Sequence, residues 1–403
     1  MKLSKISLAV LCVIALYSSR LEAQISKDKL QLNTITTAVP FLLIAPDARA
    51  GAMGDVGVAT PADAASIHWN SAKLLTAKPQ MGLSVSYAPW LRALVNDINL
   101  AYLSGYYKLD KQNVISTSLR YFSLGSITFT DEQGESRGDY NPHEFAIDAS
   151  WARLLSDNFS MGITGRYIYS NLTLGQYVQG QQSQAGRSIA ADLSVFYQKD
   201  IKIDGVEKAN FAFGAVISNI GSKISYTETT TRDFIPTQLR FGPALSVDVD
   251  AHNSFVFGVD FSKLLVPTPP VWARDSTGSG YAFDPAGNRM IEKGKDPNVS
   301  VVSGMMQSFY DAPGGMSEEL REVNFGVGVE YWYDKQFCIR TGYFHEDNTK
   351  GDRKFVTFGA GLKYSVFGLD FAYLVPIRQR NPLENTLRFT LVFDFEAFSA
   401  QNK

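Results

Sequence analysis

Histidine and cysteine are scarce in this chain, and the scarcity narrows its chemistry. Among 403 residues there are 4 histidines and 2 cysteines. Cys12 falls within an apolar N-terminal run, so once that run is removed Cys338 stands alone and no intramolecular disulfide can form. His68, His143, His252 and His345 are the only imidazole bases. No Gly-x-Ser-x-Gly elbow accompanies them: Gly82-Leu83-Ser84-Val85-Ser86 lacks the closing glycine. His345-Glu346-Asp347 is not the His-Glu-x-x-His of a metal-binding helix and reads as a solvated loop. The sequence therefore gives no catalytic residue, no metal site and no cofactor. A net charge of −2 lacks the basic excess of a nucleic-acid binder. Beyond the N-terminus there is also no apolar run long enough to cross a bilayer as a helix, so any membrane crossing must use strands.

Residues 1–23 have the layout of a secretory signal peptide. Lys2 and Lys5 precede the apolar run Ile6–Tyr17, and Ala23 before Gln24 is a plausible cleavage point. The run is too short to span a bilayer, which disfavours a retained anchor.

What the chain has in abundance is aromatic residues and glycine. It has 19 Tyr, 26 Phe and 32 Gly, yet its mean hydropathy is only −0.09. A transmembrane barrel has this composition, because lipid-facing apolar residues alternate with polar lumenal ones. The period of two is explicit in Thr386–Phe395, where Leu387, Phe389, Leu391, Phe393 and Phe395 oppose Arg388, Thr390 and Asp394. Phe255, Phe257, Val259 and Phe261 oppose Gly258, Asp260 and Ser262 in the same way. Similar segments begin near Met81, Ile98, Val114, Phe145, Phe159, Ile189, Phe211, Leu239, Val323, Phe337, Val356 and Phe367. The total predicts an all-β antiparallel barrel of about fourteen strands over residues 80–403, an even number that puts both termini in the periplasm.

Connections alternate between tight ones, as at Asp110-Lys111 and Asp334-Lys335-Gln336, and long ones, as at Gly125–Pro142 and Leu264–Arg321. This asymmetry assigns the short links to the periplasmic rim and the long ones to the outside, and a soluble β-sandwich gives no reason for it. Lys199–Lys208 is the one long link on the short side.

Three segments remain. Residues 24–79 are rich in Ala and Gly and have no strand-length alternation, which suggests a hatch packed in the lumen. Phe41-Leu42-Leu43-Ile44, Ile67 and Trp69 argue against a disordered tail. Asp131–Asp139 is acidic and Gly-spaced but matches no EF-hand loop. The external link 264–321 is too long to be a passive connection. Within it Val301, Val302, Met305, Met306 and Phe309 recur at helical spacing. Their apolar face either packs on the barrel's own loops or offers an adaptable Met-rich surface to a partner.

Asp47–Leu74 resembles the N-terminal hatch of FadL-type outer-membrane proteins, through Arg49, Met53, Gly54 and Asp55 and then Asn70. Within that superfamily the chain resembles the PorV (LptO) family of the Bacteroidetes type IX secretion system. Gln307–Gly315, which includes Asp311 and Pro313, followed by Glu318-Glu319-Leu320, is the second point of resemblance. The resemblance implies an outer-membrane protein that is not an enzyme. Such a protein would bind the C-terminal signal domain of secreted cargo beside the type IX translocon barrel. It would pass that cargo to a sortase-like attachment complex at the cell surface, and outer-membrane lipids would surround it. Met305, Met306, Phe309, Asp311 and Pro313 are the expected partner-binding residues. Two other functions stay open: a FadL-like channel for hydrophobic small molecules, and a lipid A deacylase, a role the LptO name implies.

Overall fold

A computed structural model describes residues 32–395 except 93, 94, 96, 131–133, 174, 176, 179, 180, 228–231, 278, 379 and 380. The signal-peptide segment, its cleavage point, the acidic start of the 131–139 loop and the C-terminus lie outside the described residues.

Fourteen antiparallel strands close into one barrel. In chain order they are β1 Met81–Pro89, β2 Asn99–Lys108, β3 Asn113–Ser123, β4 His143–Ser156, β5 Phe159–Asn171, β6 Gly186–Ile201 and β7 Lys208–Gly221. The second half comprises β8 Gln238–Asp248, β9 Asn253–Leu264, β10 Asn324–Tyr333, β11 Phe337–His345, β12 Lys354–Tyr364, β13 Phe367–Pro376 and β14 Thr386–Asp394. β1 pairs with β14 from Gly82↔Asp394 to Tyr87↔Phe389, which leaves no open edge. Every segment expected from the alternation is a strand. The link expected over Lys199–Lys208 is shorter in the structure, because β6 runs on to Ile201 and confines the turn to residues 202–207.

Facing follows the pleat. Leu103, Ile147, Ile163, Leu193, Phe257, Ile339 and Leu391 are exposed on the outer wall. The intervening Ser104, Asp148, Thr164, Asp192, Asp260, Arg340 and Thr390 are buried inside. An apolar exterior with a buried polar interior inverts a soluble protein, and it fits a wall solvated by lipid. No helix among the described residues is long and apolar enough to cross a membrane, which says nothing of strands.

Aromatic rings collect at both ends of the wall. At the long-loop end Phe145 and Tyr169 stack at 5.0 Å and Phe325 and His345 at 5.0 Å. At the short-turn end Phe255 and Tyr331 lie 4.9 Å apart. Amphipathic rings prefer the headgroup level, so these belts mark the two membrane surfaces. The tight turns are set by local chemistry. Asp110 and Asp250 each accept bonds from two backbone amides ahead of them, an Asx turn that fixes the strand reversal.

Candidate functional site

The barrel's interior is filled by the chain that precedes it. Residues from Ala38 to Ala77 are largely buried against the inner wall, folded as short turns and two one-turn helices, α1 Ala48–Gly51 and α2 Ser66–Trp69. Small residues make this packing close. Ala48, Ala52, Met53 and Ala72 are wholly buried, and the facing wall gives way at glycines. A Cβ on Gly342 or Gly328 would overlap the backbone of Met53 and Gly54, so only glycine lets strand and segment approach there.

Polar contacts fix the register. Asp47 caps α1 by accepting from Ala50 N at 2.8 Å and also accepts from Trp69 Nε1 at 2.7 Å. Arg49 is paired with Glu330 of β10 at 2.8 Å and with Asp63 at 3.1 Å. Glu330 also binds Arg340 at 2.6 Å, and Arg340 reaches Asp370 at 2.6 Å. The Asp260 carboxylate accepts from the amides of Gly57 and Val58. Asn70 donates to Val58 O and Val195 O while its own oxygen caps the turn at Ala72 N. Gly54 and Asp55 both have positive φ, 71° and 59°, and turn the chain where it passes Tyr343. The sequence-derived hatch residues Arg49, Met53, Gly54, Asp55 and Asn70 thus all sit where the segment meets the wall or turns. Asp47 and Glu330 were not singled out as contacts in the sequence, where Trp69 counted only against disorder and Asp260 only as a residue of the polar face. Their role depends on which strand lies opposite.

Burial sets the charge states here. Desolvation, reinforced by Asp63, raises the Asp47 carboxyl to about 6. Desolvation lowers the Lys73 ammonium to about 8. His68 is pushed well below the usual imidazole range by burial and then by Arg120, whose guanidinium donates to its Nδ1 at 2.6 Å. A neutral imidazole accepting from Arg120 is a packing element. His143 stacks on Tyr121 and Tyr169, His252 pairs with Asp334 in a turn, and His345 contacts the Tyr343 hydroxyl. Among the described residues no group of three or more His, Cys, Asp or Glu could hold a metal ion.

Above the segment, at the long-loop end, lies a pocket of about 370 Å³. Ile44, Trp90, Leu374 and Leu383 give it apolar walls. Asp55 Oδ1, Asn324 Oδ1 and Arg388 Nε line it as buried atoms without a hydrogen-bond partner.

The long loop beside this mouth is ordered by buried ion pairs. Lys263 holds Glu319 at 3.0 Å and also Glu322, while Lys350 holds Glu322 at 2.8 Å. They anchor the helix α4 Met316–Arg321. Asp311 is buried, accepts from Thr268 N at 3.1 Å, and is raised to about 6 by desolvation. It therefore holds the loop from inside, and Pro313 beside it is half-buried. The helix α3 Val301–Gln307 forms as the spacing predicts, capped by Ser300 at Ser303 N. Its buried contact is Gly304, against Phe234 and Pro267. Val302 and Met306 are 68% and 63% exposed, but Met305 is half-buried and Phe309 lies beyond the helix end. Met305 and Met306 are consecutive and point about 100° apart, and the structure turns Met306 outward and Met305 partly inward. The outward set is Val302, Met306, Phe309 and Tyr310, continued by Met316 and Leu320.

A family model described as "Type IX secretion system protein PorV" matches residues 26–271, more than half of the chain. The chain belongs to the PorV family. Like other PorV-family proteins it is an outer-membrane β-barrel component of type IX secretion. Among solved structures it is similar to the Pseudomonas putida toluene transporter TodX, with 12% identity, 90% of this chain and 98% of that chain covered, and a TM-score of 0.44. A Pseudomonas aeruginosa FadL homologue matches at 11% identity over 90% and 99% of the two chains, with a TM-score of 0.41. LpxR from Salmonella typhimurium matches at 11% identity over 78% and 100%, with a TM-score of 0.32. No match was found among curated proteins.

Proposed function

We propose that this barrel binds the C-terminal signal domain of secreted cargo at the translocon and passes it to a sortase-like attachment complex on the cell surface. The long loops then face outside and both termini face the periplasm. The observation that carries the reading is the apolar surface of Val302, Met306, Phe309 and Tyr310, held out on a loop whose base is locked by Lys263, Lys350 and their glutamates. A preordered apolar patch binds without first losing loop entropy. Methionine and aromatic side chains suit partners of varied shape. The lumenal segment fills the barrel as a hatch, so cargo is carried on the outer face and not through the lumen.

The test is capture of a purified cargo signal domain by the barrel in detergent. Burying two or three such side chains is worth about 1.5–3 kcal/mol each before association costs. Replacing Val302, Met306 and Phe309 with Ser should therefore weaken capture by well over tenfold. Undiminished capture by this variant rejects the loop as the binding surface.

A second reading, a channel for hydrophobic small molecules, is favoured by the mouth pocket. Its apolar walls, the Arg388–Asp55 ion pair at 3.6 Å and the Asn324 Oδ1 that accepts no hydrogen bond suit a small amphipathic guest. Uptake of a labelled hydrophobic solute by cells with and without the barrel separates this reading from cargo transfer.

A further inference from the structure

On the wall at the long-loop end lies a second, chemically different cleft of about 520 Å³. Arg187, Lys223 and Arg232 line it together with Gln184, Ser225 and Thr227, and no carboxylate is among its described lining residues. Asp233 and Asp296 act electrostatically on Lys223 from outside the lining, and the exposed Asp233 has its backbone paired with Ile224.

The cleft's position identifies its surroundings. Arg187 is the second residue of β6 and lies on the outer face, since Gly186 and Ser188 are buried and Ile189 is 71% exposed. Its guanidinium lies 5.9 Å from the Tyr169 ring, over one end of an aromatic row. That row runs from Tyr121 through His143 to Tyr169 and Phe145, with successive ring centroids 5.8, 6.0 and 5.0 Å apart. Below it on the same wall, Ile147, Ile163 and Leu193 are bare apolar side chains. Lys223 is held above the membrane belt by Phe234, its ammonium 4.0 Å from the ring centroid. The sequence of levels is thus aliphatic wall, aromatic belt, cationic cleft. Lipid presents the matching levels of acyl chain, ester or sugar region, and phosphate.

We propose that this cleft binds the phosphate groups of a phosphorylated glycolipid of the outer leaflet, whose acyl chains lie along the outer faces of β4, β5 and β6. Arginine supplies forked donors that match phosphate oxygens, and Lys223 adds a compact charge. Gln184, Ser225 and Thr227 provide neutral polar groups for sugar hydroxyls. A free anion would use only the cations. The lipid-borne phosphate is favoured because the cleft is continuous with the belt and the apolar wall. The bound lipid would fix the height and tilt of this side of the barrel, where the loops meet their partners. The inference rests on the external placement of the long loops proposed above.

The test uses the full barrel in detergent, with bisphosphorylated lipid A, the same lipid dephosphorylated, and inorganic phosphate as probes. Binding is read by native mass spectrometry and by thermal shift. The variant is Arg187→Gln, Lys223→Gln and Arg232→Gln together, and Lys335→Gln, in a short turn, is the control. With about 1 kcal/mol per basic residue near a membrane surface, the triple variant should bind bisphosphorylated lipid A about a hundredfold more weakly. The control should match the wild type, and a heat-modifiable gel shift checks that each barrel is folded. Equal binding by the folded triple variant overturns the proposal, as does equal binding of the dephosphorylated lipid. Inorganic phosphate binding as tightly as the lipid overturns the choice of a lipid source. Thiol labelling of the long loops on intact cells separates a wrong cleft from a wrong orientation.

Discussion

Arg49 and Glu330 are 281 residues apart in sequence and 2.8 Å apart in space, and their ion pair ties the lumenal segment to the wall. Glu330 is fully buried between Arg49 and Arg340. Glu330→Gln therefore leaves Arg49 with Asp63 alone and Arg340 with Asp370 alone, and should destabilise by up to about 3–5 kcal/mol. Arg49→Met should cost less, because Glu330 keeps Arg340. Urea unfolding of the two variants in detergent checks the order, and equal losses would mean Arg340 does not share the charge.

Gly342 faces the Met53–Gly54 backbone with no room for a side chain. Gly342→Val should expel the lumenal segment while the fourteen strands still close, because the strand itself favours a β-branched residue. Limited proteolysis should then cut within residues 33–79, whereas the barrel keeps its heat-modifiable mobility. Protection equal to wild type would show that the segment is not seated against this strand.

Leu391 is exposed on the outer wall, and Val392 on the other face is half-buried. Arg at Leu391 should cost about 2–4 kcal/mol near the bilayer midplane. Val392→Thr should be mild, since it adds a hydroxyl on the polar side. Equal destabilisation in a vesicle-folding assay would contradict the facing.

Asp47 makes seating of the segment depend on pH. Its carboxyl is raised from 3.8 to about 6, so its contribution is fully present below 3.8 and is lost as pH rises through about 6. His68 acts oppositely. Its depressed value means stability is lost as pH falls below 6.5. Asp47→Asn mimics the protonated carboxyl and leaves His68 in place. The difference in denaturant midpoint between variant and wild type should therefore favour the variant increasingly from about pH 4 to pH 7. A constant difference across that range would refute the assignment.

Orientation is tested on cells. Single cysteines at Ser279 and Ser303, in a Cys338→Ala background, should react with an impermeant thiol reagent on intact cells. A cysteine at Lys335, in a short turn, should react only after the outer membrane is disrupted. The reverse pattern would turn the barrel over.

The alternation of Phe389, Leu391 and Phe393 with Arg388 and Thr390 was enough to give strand number, strand order and facing. A period of two is a local property, and a closed meander needs only nearest-neighbour pairing. Loop lengths likewise separated the two rims, and helical spacing placed α3. Of the outward set on that loop, Val302, Met306 and Phe309 were legible at helical spacing, but Tyr310, Met316 and Leu320 were not, nor was the inward turn of Asp311 to Thr268. Nor did the sequence show that Arg49 meets Glu330, that Gly342 makes room for Met53, or that Arg187, Lys223 and Arg232 share a cleft. Those contacts join residues far apart in the chain, and only closure of the barrel, with its particular register and stagger, brings them together. The sequence by itself thus determined a lipid-facing wall and its period, whereas the tertiary structure decided what fills the lumen and which loop side chains are left free to bind.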